Sequence, residues 1–269
     1  MGQSGESLGF DPKTPNVARL YDYYLGGKDN FPADREAAEK ILAVAPELRM
    51  AARENRAFLG RAVRHLAQVG IRQFLDIGTG LPTQGNVHEV AAKVASGARV
   101  VYVDNDPVVL AHARALLTGV GNAGVVQGDL RRPEELLKHP DVRNSLDFTR
   151  PIGLLLVAVM HFIEDSDDPA GILRTLRSAL PPGSYLVLSH GTSDARAEAV
   201  DKGTAVYERA TSPLVLRGRA EVAAMFEGFE LVDPGVVWVS EWHQEIPEIS
   251  EIVDRPEESL LLCGVGRKI

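Results

Sequence analysis

One cysteine in 269 residues, Cys263, excludes an intrachain disulfide and a zinc-binding cysteine cluster. It lies in the apolar run Leu260–Cys263, which reads as a buried strand. No stretch of about 18 uninterrupted apolar residues occurs, and the first residues lack the basic-then-apolar pattern of a secretory leader. A cytoplasmic protein without membrane attachment is the expectation. Positive charge is also short, since the formal net charge is -8. Binding along a nucleic-acid backbone rests on clustered Lys and Arg, so no nucleic-acid partner is expected, although a local basic channel stays open. Pairs such as Arg131–Arg132 and Arg64–His65 read as solvated faces. Aromatics make up only 6%, yet three of the six tyrosines are Tyr21, Tyr23 and Tyr24. No internal repeat is visible.

At 45% hydrophobic, the chain can fill a continuous core without metal or disulfide support. Residues 1–15 are rich in Gly, Ser and Pro and read as a loose arm. Asn16 can cap a helix that stops at Gly26–Gly27, a second helix begins near Asp34, and a third runs from beyond Pro46 to Gly70. Its apolar positions Leu48, Ala52, Phe58, Leu59, Val63 and Leu66 follow a helical spacing. Residues 1–70 thus read as an arm and helical cap on a core of 71–269.

That core alternates strand and helix. Strands are expected at Gln73–Ile77, Arg99–Val103, Val125–Gln127, Ile152–Val159 and Tyr185–Ser189, with helices opened by Asn86, Asp106 and Asp168. Such alternation predicts a doubly wound, Rossmann-like α/β sheet. The tail offers further strands at Phe229–Val232, Val236–Trp242 and Leu260–Val265, suited to an antiparallel addition, and the acidic stretch Glu245–Glu258 reads as a surface loop.

The chemistry concentrates after the first strand, at Asp76-x-Gly78-x-Gly80. Glycines there let the backbone turn and approach a ligand where a side chain would collide, though an ordinary strand-to-loop turn would show the same pair. The next strand delivers Asp104, 24 residues after Gly80, and the third ends at Asp129. Three carboxylates then lie along one sheet edge, where Asp104 can accept both ribose hydroxyls of an adenosine and Asp129 can meet the adenine amino group. A dinucleotide would need the close pattern GxGxxG facing its pyrophosphate. Here Gly78-Thr79-Gly80-Leu81-Pro82-Thr83-Gln84-Gly85 displaces the third glycine. S-adenosylmethionine carries no phosphate, and its cationic end suits Asp76, so it is favoured over NAD.

The chain resembles the actinobacterial S-adenosylmethionine-dependent methyltransferases long catalogued as a domain of unknown function. The resemblance rests on residues 16–31 (NVARLYDYYLGGKDNF), on 74–83 (FLDIGTGLPT) with Asn86–Glu89, on Val101–Pro107 and on Gly128–Asp129. It implies a class I methyltransferase fold, a seven-stranded, mostly parallel sheet with an antiparallel edge strand and an N-terminal helical cap. It further implies that Asp76, Gly78, Thr79 and Gly80 approach the methionine part of the cofactor and that Asp104, with Asn105 beside it, takes the ribose. Asp129 and Leu130 would flank adenine.

Residues 16–31 read as a lid. Tyr21 and Tyr24 share a helix face and could meet the sulfonium, Arg19 could pair with the cofactor carboxylate, and Gly26 permits close approach or a hinge. His161, after the fourth strand, and His190, after the fifth, are the candidate catalytic bases, with His161 also placed at the cofactor. Either would serve equally as a hydrogen-bonded structural histidine. No Asn-Pro-Pro-Tyr-like element follows Ile152–Val159, which disfavours methylation of a DNA base or a glutamine. The expected activity is methyl transfer to a small molecule, the alternative a non-catalytic S-adenosylmethionine-binding regulator; oligomeric state stays open.

Overall fold

A computed structural model describes residues 10–82, 85–194, 213–244 and 254–269. The loose arm up to residue 9 and the acidic loop over residues 245–253 lie outside them. Five parallel strands form in chain order: β1 (Gln73–Ile77), β2 (Arg99–Asp104), β3 (Ala123–Gln127), β4 (Gly153–Val157) and β5 (Tyr185–Gly191). The tail adds β6 (Phe229–Leu231), β7 (Val237–Trp238) and β8 (Leu261–Lys268). Sheet order is β3-β2-β1-β4-β5-β8-β6, with β8 antiparallel to both β5 and β6.

Eight strands stand where the family resemblance implies seven, because the run along β8 is divided in two, as the tail pattern expects. β6 pairs with β8 from Lys268 to Gly266, and β7 continues along the same strand at Cys263 and Leu262. Between them lies Asp233-Pro234-Gly235, where proline has no N–H for the ladder and Gly235 turns at φ +85°. β5 also runs two residues beyond the expected Ser189, so His190 pairs with Leu262 inside the sheet rather than leading a loop.

The helices start where their caps stand. α1 (Val17–Tyr24) is capped by Asn16, whose Oδ1 accepts from the Ala18 amide at 2.8 Å. α2 (Pro32–Leu42) begins on proline, and α3 (Leu48–Gln68) follows. α4 (Val87–Val94) carries the expected capping box, with the Asn86 amide donating to Glu89 Oε2 at 2.8 Å. Asp106 caps α5 (Pro107–Leu116) through the Val108 amide at 2.7 Å. Two short helices, α6 (Pro133–Lys138) and α7 (Pro140–Ser145), precede β4. Asp168 caps α8 (Pro169–Ala179), and α9 (Arg219–Ala224) precedes β6.

Strand alternation sends Phe74 to one face of the sheet and Leu75 and Ile77 to the other, and each face has its own core. Phe58, Ala62, Val63 and Leu66 of α3 pack with Phe74 and Val100 on one face of the sheet. α1 and α2 join α3 in a smaller cluster around Leu20, Tyr24, Ala38, Ile41 and Ala52. Strand order reverses between β1 and β4, so the connections leaving their carboxyl ends run in opposite directions and leave a crevice.

Candidate functional site

A cavity of about 620 Å³ fills that crevice. One wall is built from the ends of β1, β2 and β3, which contribute Asp76 to Gly80, Asp104 with Asn105, and Asp129 with Leu130. A second wall comes from the end of β4 and the turn after it, Val157 to Val159 and His161 to Ile163. The roof is apolar and comes largely from the N-terminal helices: Tyr21, Tyr24, Ile41, Leu48, Ala51 and Ala52.

The glycine loop is held by its neighbours. Gly78 (φ +76°) and Thr79 both donate their amides to the Val103 carbonyl, at 2.9 and 3.2 Å. Gly80 (φ +66°) donates to Asp104 Oδ2 at 2.9 Å, while Oδ1 of the same carboxylate accepts from the Asp106 amide at 3.0 Å. Asp104 therefore ties the loop after β1 to the turn after β2. Burial raises its pKa, against the pull of those amides.

The two glycines differ in what surrounds them. A Cβ at Gly78 would lie 2.4 Å from Val159 Cγ2, whereas one at Gly80 would meet nothing within 4 Å. Gly78→Val should destabilise the empty protein by packing alone, in addition to any steric block. Gly80→Ala, strained in φ but free of clashes, should fold and lose ligand affinity. Thermal melts with and without ligand separate the two; equal behaviour of the variants would contradict this assignment.

Asp76 is buried, with no ion pair among the described residues. Desolvation pushes its pKa up to about 7, moderated by the charge of Arg56. Asp129 accepts from Arg131 Nε at 2.9 Å and Nη2 at 2.7 Å. Burial raises its pKa, but Arg131 outweighs that and the net shift is downward. Arg131 is exposed, as a solvated face would be, and also edges the cavity as the partner of Asp129.

The N-terminal segment is anchored. Arg19 is buried, with Nε 2.9 Å from Asp34 and Nη1 3.1 Å from Asp106. Its charge is committed to those carboxylates rather than held free for a ligand. Tyr21 Oη donates to the Ala52 carbonyl at 3.0 Å and accepts from Asn55 Nδ2 at 2.9 Å. Gly26 is absent from the cavity wall: it turns the chain at the end of α1, with φ +81°. Gly27 makes room for the Asp22 carboxylate, which accepts from the Asp29 amide and Asn30 Nδ2.

His161 reaches the cavity and His190 does not. His161 Nδ1 accepts from the Gly191 amide at 3.0 Å. Burial, then His190 and Arg217, hold its pKa well below the ordinary histidine value. His190 Nδ1 donates to the Gly191 carbonyl at 2.7 Å and Nε2 accepts from Arg217 Nη1 at 3.1 Å. With both nitrogens engaged and its pKa lowered to about 4, chiefly by burial, His190 has no lone pair for an incoming proton. The expectation of a base there is corrected.

Among the polar lining residues that escaped the sequence reading are Asn55 and Arg56 of α3. Asn55 Oδ1 accepts from Ser189 Oγ at 2.6 Å, and Ser189 Oγ accepts from the Ala158 amide at 2.9 Å. Asn55 thereby joins Tyr21 to Ala158, which closes the β4 wall at φ +54°. Its signal was a polar side chain three residues after Ala52 and three before Phe58, on the apolar face of the helix.

A doubly wound sheet with a reversed β8, and carboxylates on its first three strand ends around one cavity, defines a class I methyltransferase architecture. A profile of the S-adenosyl methyltransferase family matches residues 3–269, and the chain belongs to that family. A DUF574-family protein of Streptomyces avermitilis is 44% identical, with TM-score 0.91 over 96% of this chain and 99% of that one. A proposed methyltransferase of Thermobifida fusca is 41% identical, with TM-score 0.89 over 99% of each chain. The mitomycin 7-O-methyltransferase MmcR, 20% identical with TM-score 0.51 over 97% of this chain and 74% of that one, shares the fold. No curated protein sequence matches the chain. The protein is an S-adenosylmethionine-dependent methyltransferase. Among the described residues no helix is long and apolar enough to cross a membrane, and no cluster of His, Cys, Asp or Glu is suited to a metal.

Proposed function

We propose that this enzyme methylates a small, largely apolar molecule held under the N-terminal helices, with S-adenosylmethionine lying along the ends of β1 to β3. One observation carries the reading: acidic and apolar walls meet in a single cavity of about 620 Å³. The acidic wall fits the donor. Asp104 faces the cavity with lone pairs left after its two amide bonds, suited to the ribose hydroxyls. Asp129 and Leu130 flank the adenine position, and the open space over Gly80 admits the methionine part. Asp76 meets the cationic end. The sulfonium supplies an activated methyl group, so the protein's main task is alignment and exclusion of water. Tyr21, fixed by Asn55 and the Ala52 carbonyl, forms a rigid face of that enclosure. Labelled methyl transfer from S-adenosylmethionine into a metabolite extract tests the reading. Label appearing only in protein or nucleic acid would overturn it.

The state of Asp76 gives this binding a pH dependence. Its folded pKa of about 7 lies above the ordinary aspartate range, so below that pH the ligand-free protein prefers it protonated. The stability this contributes is full below about pH 4 and is lost as pH rises through about 7. A cationic ligand favours the carboxylate and lowers that pKa. Affinity for S-adenosylmethionine should therefore weaken as pH falls below about 7, approaching 10-fold per pH unit, with a proton released on binding near neutrality. Calorimetry in buffers of different ionisation enthalpy measures that proton; a pH-independent affinity would exclude this role for Asp76.

A further inference from the structure

We infer that His161 is a hydrogen-bond donor to the methyl acceptor, and that the acceptor is an oxygen acid (an enol, a phenol or a carboxylic acid) that enters the cavity already ionised. This deepens the proposed function and rests on it.

His161 presents to the cavity a group that can only donate. The Gly191 amide points its hydrogen at His161 Nδ1, 3.0 Å away, so Nδ1 must carry the lone pair. The neutral ring then holds its proton on Nε2. Nε2 has no hydrogen-bond partner among the described residues, yet it is not among their sealed, unpartnered polar atoms, and the residue lines the cavity. What His161 offers a ligand is an N–H.

Behind it the donors run in one direction. Arg217 Nη1 donates to His190 Nε2 at 3.1 Å, and His190 Nδ1 donates to the Gly191 carbonyl at 2.7 Å. Gly191 donates to His161, whose Nε2–H points onward. Arg217 is buried, its side chain 6% exposed, while that of its partner Asp165 is 85% exposed. Water screens the carboxylate far more than the guanidinium, so a net positive potential reaches His161. Arg217 also donates to the Met160 and Ile163 carbonyls on either side of His161, and the Val215 amide donates to the His161 carbonyl. Glu221 acts on His190 with the opposite sign.

The other carboxylates and the Tyr21 phenol of the described lining are engaged, Asp11 by the Lys13 amide and the Thr14 hydroxyl. Tyr21 already donates its hydroxyl proton and burial raises its pKa; Asp106 is paired with Arg19, Asp129 with Arg131, and Asp104 with two amides. Asp76 faces the donor's cation in the proposed arrangement, with Arg56 nearby. An ionised acceptor needs no base. Its oxygen lone pair forms the bond to the methyl carbon while the carbon–sulfur pair returns to sulfur. Anion and sulfonium are both consumed, and no proton is left over.

The probe is 4-nitrophenol, titrated calorimetrically on either side of its own pKa into protein saturated with S-adenosylhomocysteine. The phenolate should bind ~10-fold or more tighter than the phenol. His161→Leu should remove that preference, and His161→Gln, which keeps an N–H donor, should retain most of it. Nitrogen NMR of histidine-labelled protein should show His161 still neutral, with its proton on Nε2, at the pH where an ordinary histidine is half protonated. Equal binding of phenol and phenolate, an unaffected His161→Leu variant, or an imidazolium forming near the ordinary histidine pKa would each overturn the inference. S-adenosylhomocysteine is titrated first. No binding there overturns the donor site and this inference together, whereas binding without phenolate preference overturns this inference alone.

Discussion

Arg19→Met should lower the folding stability by about 3–5 kcal/mol, a fall in melting temperature of roughly 10 °C. The guanidinium bridges Asp34 and Asp106, and it donates to the Thr14 carbonyl at 3.0 Å. Phe10 and Phe31 stack against it, 5.6 and 5.2 Å from ring centre to guanidinium carbon. Methionine can replace much of the packing but leaves two carboxylates buried without a cation. Asp34 keeps the Asn16 and Phe31 amides, so part of its charge remains compensated. The same variant tests the nature of the N-terminal segment. In the parent, amides of residues 17–24 should exchange slowly with and without ligand, as a fixed wall requires; in Arg19→Met they should exchange fast. Denaturant melts and hydrogen exchange check both parts. A variant within about 1 kcal/mol of the parent would show that the bridge is not what holds the wall. Strong added protection in the parent on ligand binding would restore the mobile lid.

Asp104→Ala should weaken S-adenosylhomocysteine binding by about 10- to 150-fold, the worth of hydrogen bonds to a charged group. The structure raises the expectation toward the upper end. Besides its proposed contact with the ribose, the carboxylate holds the Gly80 amide, so its loss also loosens the loop over which the methionine part would lie. Asp104→Asn keeps one oxygen acceptor and should fall between the two. Calorimetric titration of folded variants decides the matter, and an unchanged affinity for Asp104→Ala would remove the carboxylate from the site.

The acidic wall of the cavity was legible because its parts are local. A buried strand, a glycine loop and a capped helix each write their own pattern, and Asp76, Asp104 and Asp129 fall at strand ends whose positions that pattern fixes. The rest of the cavity was not legible in the same way. Asn55 reaches Ser189 across 134 residues, and Arg19 reaches Asp106 across 87. His190 moved from loop to sheet because β8 pairs with it, an event of the tail that nothing near residue 190 announces.

The sequence by itself determined the alternation of strands and helices, the acidic edge and the preference for a phosphate-free adenosyl ligand. These follow from periodicity, caps and turn chemistry over windows of a few residues. Only the tertiary structure decided which histidine meets the cavity, on which nitrogen His161 carries its proton, and that Arg19 locks the N-terminal helices to α5. A tautomer is set by the hydrogen-bond partner across the ring, and a buried ion pair by whatever the fold brings within 3 to 4 Å. Both depend on contacts between distant parts of the chain, and local sequence carries no record of them.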